Sequence, residues 1–169
     1  MPTTLYLVRH GETIDNVRQI LQGQMQGQLT PLGRQQATEV AQKMEKEPID
    51  AFVSSDLQRA IDTCTIIALP HHKPVVTTPL LRERDWGGLT GLYIPDLKGR
   101  TWPDDVETLE AMKQRAALFI EFVRSQYAGQ KVLAVGHGII NKAIQSVFFG
   151  KEMHEVEKMT NAEIRILHL

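Results

Sequence analysis

Three short apolar runs, each stopping at a polar or glycine-bearing corner and each followed by a stretch of helical period, constrain this chain most. They are Thr4 to Val8 (TLYLV), Ala51 to Ser54 (AFVS) and Lys131 to Val135 (KVLAV). Runs this short, apolar without alternation, read as strands buried on both faces of a parallel sheet. A further strand is expected around Val75 to Thr77, and the alternating tail from Ala162 to Leu169 reads as an edge strand. Thr30 is positioned to cap a helix that opens on Pro31, carries Ala37, Val40, Ala41 and Met44 on one side, and stops at Pro48. Ser55 is the expected cap of the next helix, with Leu57, Ala60, Ile61, Cys64 and Ile67 or Ala68 buried. A longer helix aligns Val106, Leu109, Met112, Ala116, Phe119 and Val123, and a last one follows the glycines around His137. The segments before Thr30 and from Leu92 to Pro103 read as loops. Strands alternating with helices predict an α/β fold: a three-layer sandwich whose central sheet is mostly parallel, with helices on both faces. A chain of 169 residues fits a single domain, 1–169, that buries roughly 70% of its unfolded surface.

Composition removes several function classes. A net charge of -1 argues against the broad basic face that nucleic acid or an anionic membrane requires. No stretch approaches the roughly 20 apolar residues of a membrane span. The single cysteine, Cys64, falls at a helical core position, which excludes an internal disulfide and fits a reducing compartment. The N-terminus lacks the basic region of a signal sequence, so a cytoplasmic location is expected. His71 and His72 are adjacent in a proline-bounded loop with no accompanying cysteine or carboxylate pattern, and His154 and His168 lack partners, so no metal site is expected. GQMQGQ lacks the lysine of a nucleotide-binding loop. No cofactor is expected.

In sheets of this kind ligands bind outside the carboxyl ends of the strands. Arg9 and His10, the segment Ser54 to Arg59, Glu83, and Gly136 with His137 all fall there. Two arginines match phosphate oxygens as planar, permanently charged forks. Arg59 lies opposite the apolar side of its helix and is expected to point freely over the strand ends. Gly138 opens a helix, where unpaired N–H groups favour an anion. Two histidines offer a nucleophile and a further donor. Glu83 can serve as proton donor where its surroundings favour the acid form, with Asp85 the nearest rival and a plain surface charge cluster (RERD) the alternative. Together these groups make a phosphoryl-transfer site that needs no metal.

The segments LVRHGET (7–13), SSDLQRA (54–60), LRERDWGGLTG (81–91) and VGHG (135–138) resemble the histidine phosphatase, or phosphoglycerate mutase-like, superfamily, in the family's order and across essentially the whole chain. The resemblance implies that His10 is a nucleophile forming a phosphohistidine. It implies that Arg9, Arg59 and His137 form the phosphate pocket, that Glu83 protonates the leaving alcohol, and that Thr13 and Asn16 lie near phosphate and substrate. Family mutases carry a longer insertion after the glutamate motif. Here about a dozen residues separate Gly91 from Asp104, with Lys98 and Arg100 their sole cations. A cover this short leaves phosphohistidine open to water, which favours a phosphatase over a phosphoglycerate mutase; a non-catalytic phospho-ligand binder ranks last. Val106-Glu107-Thr108 stands where many members have Gly-Glu-Ser, and Asn141 where many phosphatases have arginine. Trp86, Trp102 and Tyr93 either wall the leaving-group pocket or pack in the core. A small phosphorylated metabolite is the expected partner, while oligomeric state is not legible.

Overall fold

The computed structural model describes residues 2–169. Its elements are β1 (Thr4–Arg9), α1 (Ile14–Arg18), α2 (Pro31–Met44), β2 (Ala51–Ser55), α3 (Gln58–Ala68), β3 (Val75–Thr78), α4 (Leu109–Gln126), β4 (Lys131–Gly136), α5 (Gly138–Phe149) and β5 (Ile164–His168). Five strands form one sheet in the order β3-β2-β4-β1-β5. β1, β2, β3 and β4 run parallel, and β5 closes one edge antiparallel to β1.

The period of two along the strands sorts the helices between the faces. Leu5, Leu7, Val53, Val132 and Ala134 point to one side, where they meet Met112, Ala116 and Phe119 of α4 and Ile140, Ala143 and Ile144 of α5. Tyr6, Val8, Phe52, Leu133 and Val135 point to the other, against Val40 of α2 and Ala60, Cys64 and Ile67 of α3. Burying strands on both faces removes alternation from the sequence, so their near-continuous apolar runs follow from the three layers.

Several local expectations are corrected. The loop before Thr30 contains α1, begun by a capping box in which Thr13 and Asn16 exchange side-chain and backbone hydrogen bonds. Its five residues bury no side chain, so no apolar period announces it. α2 ends at Met44, short of Pro48. Ser55 is the last residue of β2 and not a helix cap; α3 starts from Leu57 without a side-chain cap. α3 is also rotated from its expected face: Arg59 and Thr63 are buried, and Ile61 is only half-buried. Thr63 earns its place with hydrogen bonds, its Oγ1 accepting from Gly11 N at 3.1 Å and donating to the Arg59 carbonyl at 2.8 Å. Val106 lies outside α4, which Thr108 caps by accepting from Ala111 N at 3.0 Å. In β5 only Leu167 is buried, while Ile166 faces solvent. No helix among the described residues is long and apolar enough to cross a membrane.

Candidate active site

The register that pairs Arg9 with Gly136 brings the carboxyl ends of β1 and β4 side by side, and His10 N extends the ladder to the Gly136 carbonyl at 3.2 Å. The chain then leaves the sheet against α2 at a very close backbone approach. A Cβ on Gly11 would stand 2.4 Å from the Gly33 carbonyl oxygen, and one on Gly33 would stand 2.1 Å from that of Glu12. Two facing glycines therefore let the loop after β1 settle on the first turn of α2.

That seat fixes His10. Its Nδ1 lies 2.7 Å from the Gly11 carbonyl oxygen. A carbonyl only accepts, so Nδ1 carries the proton and Nε2 keeps its lone pair. Its carbonyl in turn accepts from Asn161 Nδ2 at 3.1 Å. Burial, reinforced by the charges of Arg59 and Arg9 and opposed by the Gly11 hydrogen bond, pushes the imidazole pKa down to about 3. His10 is therefore a neutral base at any ordinary pH.

Around it stand three cationic or donor groups. Arg59 is 1% exposed, which corrects the expectation of a free side chain. Its two terminal nitrogens donate to the carbonyls of Met25 and Gly23, both at 2.6 Å. Desolvation lowers its pKa to about 10, which leaves it charged at neutral pH. Arg9 donates from NH1 to the Met159 carbonyl at 2.7 Å. His137 caps the start of α5, with its ring centroid 5.1 Å from that of His10. Its Nε2 lies 2.9 Å from Ser55 Oγ, and burial first, then Arg59, holds its pKa well below the ordinary range. Arg9 Nε, Arg59 Nε and His137 Nδ1 are buried and have no hydrogen-bond partner within the protein. The two guanidinium nitrogens can only donate, buried polar atoms without partners are rare, and three such nitrogens beside one histidine point to an anion as the partner of the arginines.

Glu83 arrives from the segment after β3 and lines the same cavity. Its carboxylate accepts from Ile139 N at 3.1 Å, Ile140 N at 3.1 Å and Arg84 N at 2.9 Å. The amides of the first turn of α5 thus hold Glu83, and the helix end expected to face phosphate is shared, with Gly138 at the cavity wall. Asp85, the rival acid, is exposed and accepts from Gly87 N. A support missed in the sequence is Arg115 of α4. It pairs with Glu107 at 2.8 Å and donates to the carbonyls of Leu80 (3.1 Å), Arg82 and Glu83 (3.4 Å). Glu107 also accepts from Asp85 N at 2.9 Å. The departure Val106-Glu107-Thr108 thus keeps both the carboxylate and the cap. Arg115 interrupts the apolar side of α4 between Met112 and Ala116, and that was its available signal.

The cavity has a volume of about 140 Å³. Asn16 reaches its wall, whereas Thr13, expected near the phosphate, is fully buried with its hydroxyl spent capping α1. Trp86 lines the cavity; Trp102 stacks edge-on against it at 5.4 Å and is 48% exposed, and Tyr93 is exposed as well. Gln22 and Lys158 also line it, neither singled out in the sequence. Asn141 lies beneath the site and donates to the Val8 carbonyl at 3.1 Å.

A mostly parallel sheet that sets two arginines, two histidines and a carboxylate at one edge defines a phosphoryl-transfer enzyme. The model of the histidine phosphatase superfamily (branch 1) matches residues 5–169, and the chain belongs to that superfamily. It is 32% identical to a metal-independent phosphoserine phosphatase of Arabidopsis thaliana, over 99% of this chain and 76% of the relative. It is 30% identical to a phosphoglycerate mutase-like protein of the same plant, over 98% and 79%. The solved phosphoserine phosphatase of Entamoeba histolytica in complex with 3-phosphoglyceric acid superposes with a TM-score of 0.87 at 27% identity, covering 97% of this chain and 89% of the other. Within the superfamily the chain is a phosphatase, a reading that its relatives fit better than a mutase.

Proposed function

We propose that this protein, as one domain spanning 1–169, hydrolyses small phosphomonoesters through a phosphohistidine on His10. The carrying observation is the set of three unpartnered buried nitrogens, two of them guanidinium donors, beside a histidine whose Nε2 lone pair is free. Nε2 attacks phosphorus and the P–O ester bond breaks, with the departing oxygen taking its proton from the Glu83 carboxyl group. Ionised Glu83 then takes a proton from water, whose oxygen attacks phosphorus. The P–N bond breaks and phosphate leaves. Arg9, Arg59 and His137 hold the equatorial oxygens, where charge gathers in the transition state. Gly138 and Asn16 complete the substrate contacts, and Thr13 acts on Asn16 through its cap.

Hydrolysis in preference to phosphoryl return follows from the short segment 92–104. Lys98 and Arg100 on it are exposed and do not reach the cavity. The buried, unpaired thiol of Cys64 suits a cytoplasmic setting. The test is an acid-labile phosphoenzyme trapped during turnover and lost in His10→Ala, with phosphate release unaffected by chelator. Conversion of 3-phosphoglycerate into 2-phosphoglycerate without free phosphate, given a trace of bisphosphoglycerate, would overturn hydrolysis in favour of the mutase.

A further inference from the structure

Besides its charged groups, the cavity is lined by Ile20, Leu21, Trp86, Ile94 and Ile139. Four of these are half-buried and Ile94 is 46% exposed, so their free apolar surface is turned to the cavity and its mouth. Two loops build this wall by pairing their backbones. Leu21 N donates to the Leu92 carbonyl at 2.9 Å, Gly91 N to that of Leu21 at 2.8 Å, and Ile94 N to that of Gln19 at 2.8 Å, with Ile20 and Tyr93 bridged between them. Trp86 is fixed from behind by Gly23, whose backbone lies at φ 53° and where a Cβ would stand 3.2 Å from the indole. The wall is therefore preformed, with the amides of Leu21, Gly91 and Ile94 already paired within it.

We propose that the leaving group is apolar, an alkyl or aryl alcohol, so that the substrate is an amphiphilic phosphomonoester with its phosphate on the arginines and its carbon chain along this wall. A hydroxyl or carboxylate laid along these five side chains would give up water and find no partner among them, a net loss. The amide side chains at the cavity are Gln22 and Asn16, the latter already accepting from Thr13 N. Each methylene laid on the wall removes apolar surface from water. The one lysine lining the cavity, Lys158, is exposed. The proposal rests on the phosphatase reading and narrows it.

The test is the series ethyl, propyl, butyl and hexyl phosphate, whose alcohols leave with nearly equal ease, so that kcat/KM reports contact with the wall. The expected result is a rise of up to about fourfold per methylene, the factor that full burial of one methylene gives, until the cavity is filled. Ile94→Ser, at an exposed position that the fold does not need, lowers the butyl-to-ethyl ratio. A flat or falling series in the wild type overturns the proposal, as does faster hydrolysis of phosphoserine or 3-phosphoglycerate than of butyl phosphate. p-Nitrophenyl phosphate separates the two readings: its turnover alongside a flat alkyl series defeats this proposal alone, whereas no phosphate release from any ester defeats the phosphatase reading too.

Discussion

The floor and the roof of the catalytic cavity are built differently. The floor is the carboxyl edge of β1, β2 and β4, where His10, Arg59 and His137 are almost fully buried and tied by hydrogen bonds to neighbouring loops and strands. The roof is loop against loop: residues 19–23 and 84–97, joined by a few backbone bonds and carrying exposed side chains such as Tyr93 and Ile94. His10, Arg59 and His137 belong to the floor, and Ile20, Leu21, Trp86 and Ile94 to the roof. On the proposed reading the floor determines which bond is broken, and the roof what leaves.

The strongest way to break that division is to remove the proposed nucleophile. His10→Ala should lower kcat by at least about 10³-fold for every ester, whatever its leaving group, in steady-state phosphate release. A loss confined to some esters would show that the floor also selects substrates. Next in size, Glu83→Gln should cost about 10² to 10⁴-fold on alkyl phosphates and far less on p-nitrophenyl phosphate, whose leaving group needs no proton. Equal losses would make Glu83 structural. Arg115→Met should reproduce the Glu83 pattern at reduced size, about 10 to 10²-fold on alkyl esters, because it holds the carbonyls on either side of the acid. Arg115→Lys should recover part of it.

The floor also predicts a dependence of stability on pH. His10 has a pKa of about 3 when folded against an ordinary value of 6.5. As pH falls through 6.5 the unfolded chain takes the proton first, so stability declines from there down to about pH 3 and is fully present above 6.5. Urea midpoints measured across that window should fall less steeply for His10→Asn. The smallest effect is assigned to the outer roof: replacing Lys98 and Arg100 by alanine should change kcat/KM by less than about twofold, because screened surface charges bear only on encounter. A larger change would move the substrate contact outward.

The same division governed what could be read from sequence. Arg9, His10, Glu83 and His137 announce themselves because charge and glycine interrupt apolar runs, and a doubly covered sheet requires those runs. Arg59 was placed correctly at the edge but on the wrong face of α3, because helical periodicity counts a buried arginine as solvent-facing. Its burial depends on two carbonyls more than thirty residues earlier, which no local pattern encodes. α1 escaped notice for a related reason: it buries no side chain and rests on a capping box. Arg115 and Asn161 act on the site through long-range hydrogen bonds, and each looks ordinary where it stands in the chain.

Arg59 bears a consequence beyond catalysis. The guanidinium proposed to hold phosphate is also the tie beam of the roof loop, since the Gly23 and Met25 carbonyls hang from it. Anything that displaces that loop displaces the charge, and a phosphate that draws the charge inward pulls the loop with it. Substrate choice in this protein cannot be re-engineered at residues 23–25 without also retuning its grip on phosphate; the segment around Tyr93 and Ile94, on no such tether, is the part free to vary.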